Sequence, residues 1–304
     1  MYTLKKSLGQ HFLRDENISR KIVETLRQSL FPSGADGPDG FGGREFGGSG
    51  GNSGSDEGGG SREGGGSRES GGSREIGGPM RQLLEVGPGA GALTKYLLEL
   101  EGVDFRAVEL DDEKVRYLEG NFPALRGKII HGSVLDLEKP FAGKFTVIGN
   151  FPYNISTQIL FKMLDWKDDL VTMIGMFQKE VAQRVAAPAG NKVYGVISVL
   201  IQAFFDVEYL FEVHEQCFNP PPKVKSAVIR LVPRKAPEFR DEKSFFLLVK
   251  TAFNQRRKTL RNAVKSLFDA AALQDPVFDK RAERLSIEDF AHLTWRMRPI
   301  DRSN

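Results

Sequence analysis

Short apolar runs alternate with amphipathic stretches along most of this chain. Leu83-Leu84-Glu85-Val86 and Phe105-Arg106-Ala107-Val108, then residues 128–131, 144–149 and 171–176, have the length and β-branched or aromatic content of buried strands. Helical stretches are expected between them. Such alternation predicts a parallel sheet covered by helices on both faces. A first helix is predicted over about residues 15 to 30, ahead of the first strand. Tyr209 to Val213 and Val224 to Val232 read as late strands forming a hairpin at the sheet edge. From residue 236 onward only helical periodicity remains. The pattern therefore divides the chain into an α/β domain over 1–235 and a small helical domain over 236–304.

One segment breaks the pattern. Residues 33–79 hold 20 of the 33 glycines, and a hexad runs Gly58-Gly59-Gly60-Ser61-Arg62-Glu63 and then Gly64-Gly65-Gly66-Ser67-Arg68-Glu69. With almost no apolar side chains, the segment has nothing to offset the entropy of ordering, and it is expected to be a disordered insertion. Glycine-rich stretches with arginine also occur in RNA-binding tails. Here four Arg face eight Asp and Glu, a net −4, so the overall +3 leaves +7 for the rest of the chain. That balance favours an inert linker. Closing it costs little, since each doubling of loop length adds about 0.6 kcal/mol.

Composition narrows the function classes. Hydrophobic residues make up 40% of the 304 positions, enough for a core, yet no apolar run is long enough to span a membrane. Met1-Tyr2-Thr3-Leu4-Lys5-Lys6 lacks the apolar stretch of a secretion signal, and the single cysteine, Cys217, fits a reducing compartment, so a cytoplasmic location is expected. His11, His131, His214 and His292 lie far apart without ligand spacing, and no metal is expected.

Two motifs sit where strands end. After Leu83-Leu84-Glu85-Val86 comes Gly87-Pro88-Gly89-Ala90-Gly91-Ala92-Leu93-Thr94, then an apolar periodic stretch through Leu97, Leu98 and Leu100. Strand, glycine loop and helix in succession form a nucleotide-type cradle, because Gly87, Gly89 and Gly91 let backbone approach a ligand closely. Eighteen residues past Gly91, Glu109 closes the next strand, placed to accept hydrogen bonds from ribose hydroxyls. The spacing is Gly-x-Gly-x-Gly rather than the Gly-x-Gly-x-x-Gly of pyrophosphate binders, which favours S-adenosyl-L-methionine (SAM) over a nicotinamide or flavin. The second motif, Asn150-Phe151-Pro152-Tyr153, follows the run Phe145 to Gly149. An amide oxygen and a carbonyl ahead of a proline can accept hydrogen bonds from the exocyclic amine of a base, while an aromatic ring stacks on it. The plainer reading is a strand entering a proline turn, with Tyr153 in the core.

Between Ser244 and Phe268 the helical region carries Lys250, Arg256, Arg257, Lys258, Arg261 and Lys265 without one acidic residue. Phe246, Val249, Phe253, Leu260, Val264 and Leu267 keep helical spacing, which predicts one helix with a core face and a basic face suited to RNA. Arg257 falls on the apolar stripe and is expected to turn inward toward a partner or to reach across the interdomain groove. Lys5 and Lys6 are further candidates for phosphate contacts. Charge runs of this kind are also common as solvated faces.

The chain resembles the small-subunit ribosomal RNA adenine N6,N6-dimethyltransferase family (KsgA/RsmA). The resemblance rests on Lys5-Lys6-Ser7-Leu8-Gly9-Gln10-His11-Phe12-Leu13, the glycine loop, and Gly149-Asn150-Phe151-Pro152-Tyr153-Asn154-Ile155-Ser156. It extends through Phe218-Asn219-Pro220-Pro221-Pro222-Lys223-Val224-Lys225-Ser226 and Phe253-Asn254-Gln255-Arg256-Arg257-Lys258-Thr259-Leu260-Arg261-Asn262. It implies an α/β fold: a Rossmann-like SAM-dependent methyltransferase sheet with a small C-terminal helical domain. It further implies a monomer that dimethylates two adjacent adenosines in the 3′-terminal hairpin loop of 16S rRNA during small-subunit biogenesis. By this resemblance His11 and Leu13 close over the cofactor's methionine end and Glu109 holds its ribose. Asn150 and the Phe151 carbonyl hold the target amine, Tyr153 stacks on the base, and Phe218 supplies the opposite face or simply packs in the core. The family's acidic residue after the third strand is replaced by Ser133, a weaker acceptor for the adenine amine, with Asp136 as a substitute. Cys217 beside Phe218 is no required nucleophile, since N6 can attack a sulfonium directly. An erythromycin-resistance-type methyltransferase of large-subunit rRNA and a mainly non-catalytic assembly factor remain as alternatives.

Overall fold

The structure is a computed structural model that describes residues 11–32 and 80–299. The glycine-rich insertion 33–79, Lys5 and Lys6 lie outside the described residues.

The described chain opens with a two-residue strand β1 (Phe12–Leu13) and helix α1 (Glu16–Leu30). Asp15 caps α1 by accepting from the backbone N–H groups of Asn17 and Ile18. Ile22, Val23, Leu26 and Leu30 then recur at helical spacing and are buried. The parallel core follows as β2 (Arg81–Val86), α2 (Thr94–Leu97), β3 (Val103–Glu109), α3 (Asp112–Asn121), β4 (Ile129–His131) and β5 (Phe145–Asn150). Next come α4 (Ser156–Asp165), β6 (Leu170–Gln178), α5 (Lys179–Val185) and α6 (Val196–Gln202). The edge is built by β7 (Phe205–Val213), β8 (Phe218–Asn219) and β9 (Ser226–Pro233), and the chain continues into α7 (Glu242–Asn254), α8 (Leu260–Ala263) and α9 (Ile287–Thr294).

Seven strands form one sheet in the order β4-β3-β2-β5-β6-β9-β7, parallel from β4 to β6 and antiparallel across β9 and β7. Alternation along β2 sends Leu83 to a core shared with α1 and Leu84 to the opposite core, so both faces of the sheet are dry. The second of these cores runs without interruption into the helical region, where Phe245 and Leu248 of α7 join the cluster that holds Leu164 and Phe204.

Three expectations about elements need correction. The link from β4 to β5 contains no helix; residues 132–144 cross as a loop that buries Val134 and Phe141 in place of a helix face. The edge strand β7 begins at Phe205, earlier than the aromatic run at Tyr209 suggested. The basic segment is two helices, because α7 stops at Asn254 and the chain turns through residues 255–259 before α8. Gln255 to Lys258 hold no apolar side chain to bury, and the Leu260 N–H is captured by the Lys280 carbonyl (2.8 Å). Periodicity survives the break because Phe253 and Leu260 each find the core separately. Arg257, placed by an unbroken helix on the inner stripe, is consequently exposed.

Candidate active site at the carboxyl edge of the sheet

Strands β2, β3 and β5 end side by side, and the loops that leave them enclose one pocket. Gly87 and Gly89 line it with φ of +67° and +60°, left-handed values that a side chain disfavours. A Cβ on Gly89 would stand 3.2 Å from the Phe12 ring, a tight approach that the ring would have to yield to. Gly91 is different. It does not line the pocket; its φ of +83° and a would-be Cβ only 2.5 Å from Phe122 make it a packing glycine. The expected cofactor contact of Gly91 is corrected accordingly.

Glu109, at the end of β3, lines the pocket and is 6% exposed. Its Oε2 accepts from the Gly89 N–H (3.2 Å), and Oε1 accepts from the N–H groups of Leu110 (3.0 Å) and Asp111 (3.1 Å). A carboxylate has about four lone-pair sites. Three backbone donors thus lock its orientation and leave Oε2 with capacity for one more hydroxyl.

Beneath the glycine loop lies a residue the motifs did not single out. Glu85 on β2 is 2% exposed and lines the same pocket. The Thr94 hydroxyl donates to its Oε2 at 2.7 Å. Burial pushes its carboxyl up to about 8; the Thr94 hydrogen bond opposes this and the charge of Glu109 adds to it. A charged residue inside an otherwise apolar strand was the available signal. Asp111 and the buried Lys114 also line the pocket, and the Lys114 ammonium sits 5.3 Å from the centre of the Phe12 ring. With Glu85 holding its proton near neutral pH, the Glu109 and Asp111 carboxyl groups stand against one ammonium, a balance that suits a ligand carrying positive charge.

On the other wall, Asn150 ends β5, and its Nδ2 donates to the His11 carbonyl (3.2 Å). With the nitrogen so engaged, Oδ1 is the atom of the amide that can accept from a substrate amine. Phe151 is 1% exposed and fills a slot made by Gly149 and Gly175, register partners on β5 and β6. A Cβ on either glycine would fall within 2.6 Å of the Phe151 ring. Its N–H is bonded to the Met176 carbonyl (3.2 Å), so the backbone ahead of Pro152 is fixed from both sides. Tyr153 lines the pocket, its hydroxyl hydrogen-bonded to Ser226 and its ring 5.4 Å from that of His11. Burial raises its hydroxyl pKa, which keeps the ring neutral.

His11 and Leu13 reach the pocket because β1 pairs with β8, setting Leu13 opposite Phe218, and because His11 Nδ1 donates to the Pro220 carbonyl (2.8 Å). Phe218 itself is 1% exposed and does not line the pocket. It packs in the α1-side core with Leu13, Val213 and Val228, so the expected opposite face of a base sandwich is corrected to core. Ser133 lines the pocket and its Oγ accepts from the Leu135 N–H (3.2 Å); Asp136 does not reach it. Cys217 stands outside, its thiol pushed up by burial and by Asp15, whose Oδ2 is 3.6 Å away. Among the described residues no group of three or more His, Cys, Asp or Glu is arranged to hold a metal. No helix among them is long and apolar enough to cross a membrane.

The basic residues divide. Arg256 donates to the carbonyls of Lys192 and Tyr194, and Arg261 bonds the Leu273 carbonyl (2.9 Å) and pairs with Asp279 (2.9 Å). Both guanidinium groups are thus engaged within the protein, whereas Arg257 and Lys258 are exposed and form no ion pair with a described acidic residue.

A mixed sheet, parallel from β4 to β6, with a glycine loop, a locked acid on the neighbouring strand and an Asn-Phe-Pro-Tyr turn at one pocket defines a Rossmann-like methyltransferase. A family profile described as "Ribosomal RNA adenine dimethylase" matches residues 1–297. The ribosomal RNA small subunit methyltransferase A of Phocaeicola vulgatus is 54% identical, covering 95% of this chain and 88% of that protein. Its namesake from Cytophaga hutchinsonii is 44% identical over 95% of each. Among solved structures, a dimethyladenosine transferase from Plasmodium falciparum has the same fold, with TM-score 0.58 and 23% identity over 70% of this chain and 88% of that one. The 23S rRNA methyltransferase ErmE has TM-score 0.54 and 20% identity over 70% and 92%. The chain belongs to the ribosomal RNA adenine dimethylase family and is an rRNA adenine dimethyltransferase.

Proposed function

We propose that this enzyme uses SAM to dimethylate N6 of two adjacent adenosines in the 3′-terminal hairpin loop of 16S rRNA, acting on the immature small subunit. The observation that carries the reading is the convergence of the Asn150 amide, the locked Glu109 carboxylate and the Gly87–Gly89 cradle on one pocket. The small-subunit target is supported by relatives of that name at 44% to 54% identity over nearly the whole chain.

The pocket fits the cofactor. Glu109 takes a ribose hydroxyl with its remaining lone pair, the left-handed backbone of Gly87 and Gly89 lets the loop approach closely, and Ser133 faces the adenine end. Gly87, His11 and Leu13 enclose the methionine end, next to Glu85. When bound, SAM supplies a methyl group on a sulfonium. The protein's part is orientation and desolvation. Asn150 Oδ1 and the Phe151 carbonyl accept from the target amine and draw N6 toward a tetrahedral shape with its lone pair exposed. Tyr153, tethered through its hydroxyl to Ser226, stacks on the base that has left its own stack. The RNA is gripped by exposed cations of the helical region, Arg257 and Lys258 foremost.

The test is transfer of labelled methyl from SAM to separately purified, unmethylated small and large ribosomal subunits, followed by nucleoside analysis. Label is expected in N6,N6-dimethyladenosine from the small subunit. Label from the large subunit alone would place the enzyme with the erythromycin-resistance type.

A further inference from the structure

The loop between α5 and α6 carries a feature that the catalytic pocket does not use. Asn191 Oδ1 accepts from the Val193 N–H (3.0 Å), an Asx turn with Lys192 at its apex. The loop is tied down further by Asn191 N–H to the Pro188 carbonyl (3.2 Å), Tyr194 N–H to the Asn191 carbonyl (3.1 Å) and Gly190 N–H to the Glu283 carbonyl (2.7 Å). Tyr194 is 1% exposed and rivets the loop to α7 through an edge contact with Phe253, centroids 6.0 Å apart. Arg256, in the turn after α7, then donates to the carbonyls of Lys192 and Tyr194. A rigid turn on the sheet side is thereby held against the basic turn of the helical region.

The result is a cluster of like charge. Lys192, Arg257 and Lys258 are exposed, and Arg284 reaches within 3.7 Å of where a Gly190 Cβ would sit. Of the nearby acids, Glu283 has a buried Oε2, while Glu288 and Asp289 at the start of α9 act on the Tyr194 hydroxyl. Three exposed cations held together, none in an ion pair with a described acidic residue, raise self-repulsion, which a bound polyanion relieves.

We infer that the Lys192 turn is a second RNA-phosphate contact continuous with Arg257 and Lys258, and that Arg256 is the positioning residue that holds it there rather than an RNA ligand. This rests on the proposed rRNA substrate. Both bonds leave one terminal nitrogen, Nη2, which the rigid guanidinium plane holds between the two carbonyls; a lysine ammonium keeps the charge but sits on a shorter, more flexible stem.

The experiment measures binding of the full-length enzyme to unmethylated small ribosomal subunits over a salt series. Lys192→Ala is expected to weaken affinity several-fold and to lower the salt slope by about 0.7 to 0.9, the share of one phosphate contact. Arg256→Ala and Arg256→Lys are expected to match it in both readouts, and Lys192→Ala combined with Arg256→Lys to be no weaker than the weaker single variant. Unchanged affinity and slope in Lys192→Ala, a surface change that leaves the fold intact, sinks the inference. Wild-type behaviour of Arg256→Lys overturns the positioning role, since it would show that charge alone suffices. Failure of the wild type to bind small subunits removes the proposed substrate and this inference with it. Tight wild-type binding with an indifferent Lys192→Ala removes only this inference.

Discussion

Replacing Glu85 by Gln should flatten the pH dependence of folding stability between about pH 5 and pH 8. In the native protein the Glu85 carboxyl is pushed from 4.5 up to about 8, chiefly by burial, with Thr94 opposing and Glu109 adding to the rise. Below 4.5 both folded and unfolded chains hold the proton, and the group leaves stability unchanged. Above it the unfolded chain releases the proton while the folded chain keeps it, so stability falls as pH rises. The fall ends near pH 8, where the folded carboxyl ionises too. At about 1.4 kcal/mol per pH unit, the window amounts to roughly 5 kcal/mol, an upper bound because local opening admits water. Glutamine fills nearly the same volume and still accepts from the Thr94 hydroxyl, but it has no proton to lose. Urea unfolding of both proteins, without added ligand, at several pH values gives the comparison directly. The wild-type curve should descend relative to the variant by about 1 kcal/mol or more per pH unit near neutrality. Parallel curves for the two proteins would refute the reasoning, because Glu85 would then ionise in the fold as it does in water.

Other perturbations test the remaining parts of the site. Asn150→Ala should lower kcat by about 100-fold or more, as expected for a lost acceptor that acts on developing charge, while cofactor affinity measured by calorimetry stays within a few-fold. Glu109→Ala should do the reverse, weakening SAM binding by roughly 10-fold or more through loss of a charged hydrogen-bond acceptor; equal affinity would remove it from the ribose site. Gly91→Ala should cost at least about 1 to 2 kcal/mol of stability in urea melts, from the left-handed backbone alone, with the Phe122 clash in addition. Arg257→Ala and Lys258→Ala should each reduce the salt slope of RNA binding, whereas Arg261→Ala, whose guanidinium is engaged by Asp279 and the Leu273 carbonyl, should leave that slope unchanged.

Much of the site was legible in the chain because its parts are local. A glycine loop after a strand, an acid at the end of the next strand and Asn-Phe-Pro-Tyr after a third all owe their placement to parallel strands whose carboxyl ends share one edge. Three apolar runs and three motifs therefore sufficed to bring Gly87, Glu109 and Asn150 together. The helix before the insertion was equally plain, since Asp15 caps a stretch whose apolar residues recur at helical spacing.

What the chain could not disclose depends on contacts between distant segments. The opposed glycines of β5 and β6 look unremarkable in sequence; only their register shows that Gly149 and Gly175 make the slot for Phe151. Gly91 and Phe218 carry motif identities, yet packing against Phe122 and Leu13 keeps both out of the pocket. Helical periodicity passed straight through the turn at residues 255–259, because spacing records which residues are buried and not whether the backbone between them is continuous. The fate of each cation was likewise a tertiary matter: Arg256 and Arg261 are engaged by carbonyls and an aspartate, while Arg257 and Lys258 face water. Local patterning thus determined the elements and the chemistry at their ends. The assembled sheet and helices alone decided which side chains meet a ligand, because burial and hydrogen-bond competition are settled only when residues far apart in the chain come into contact.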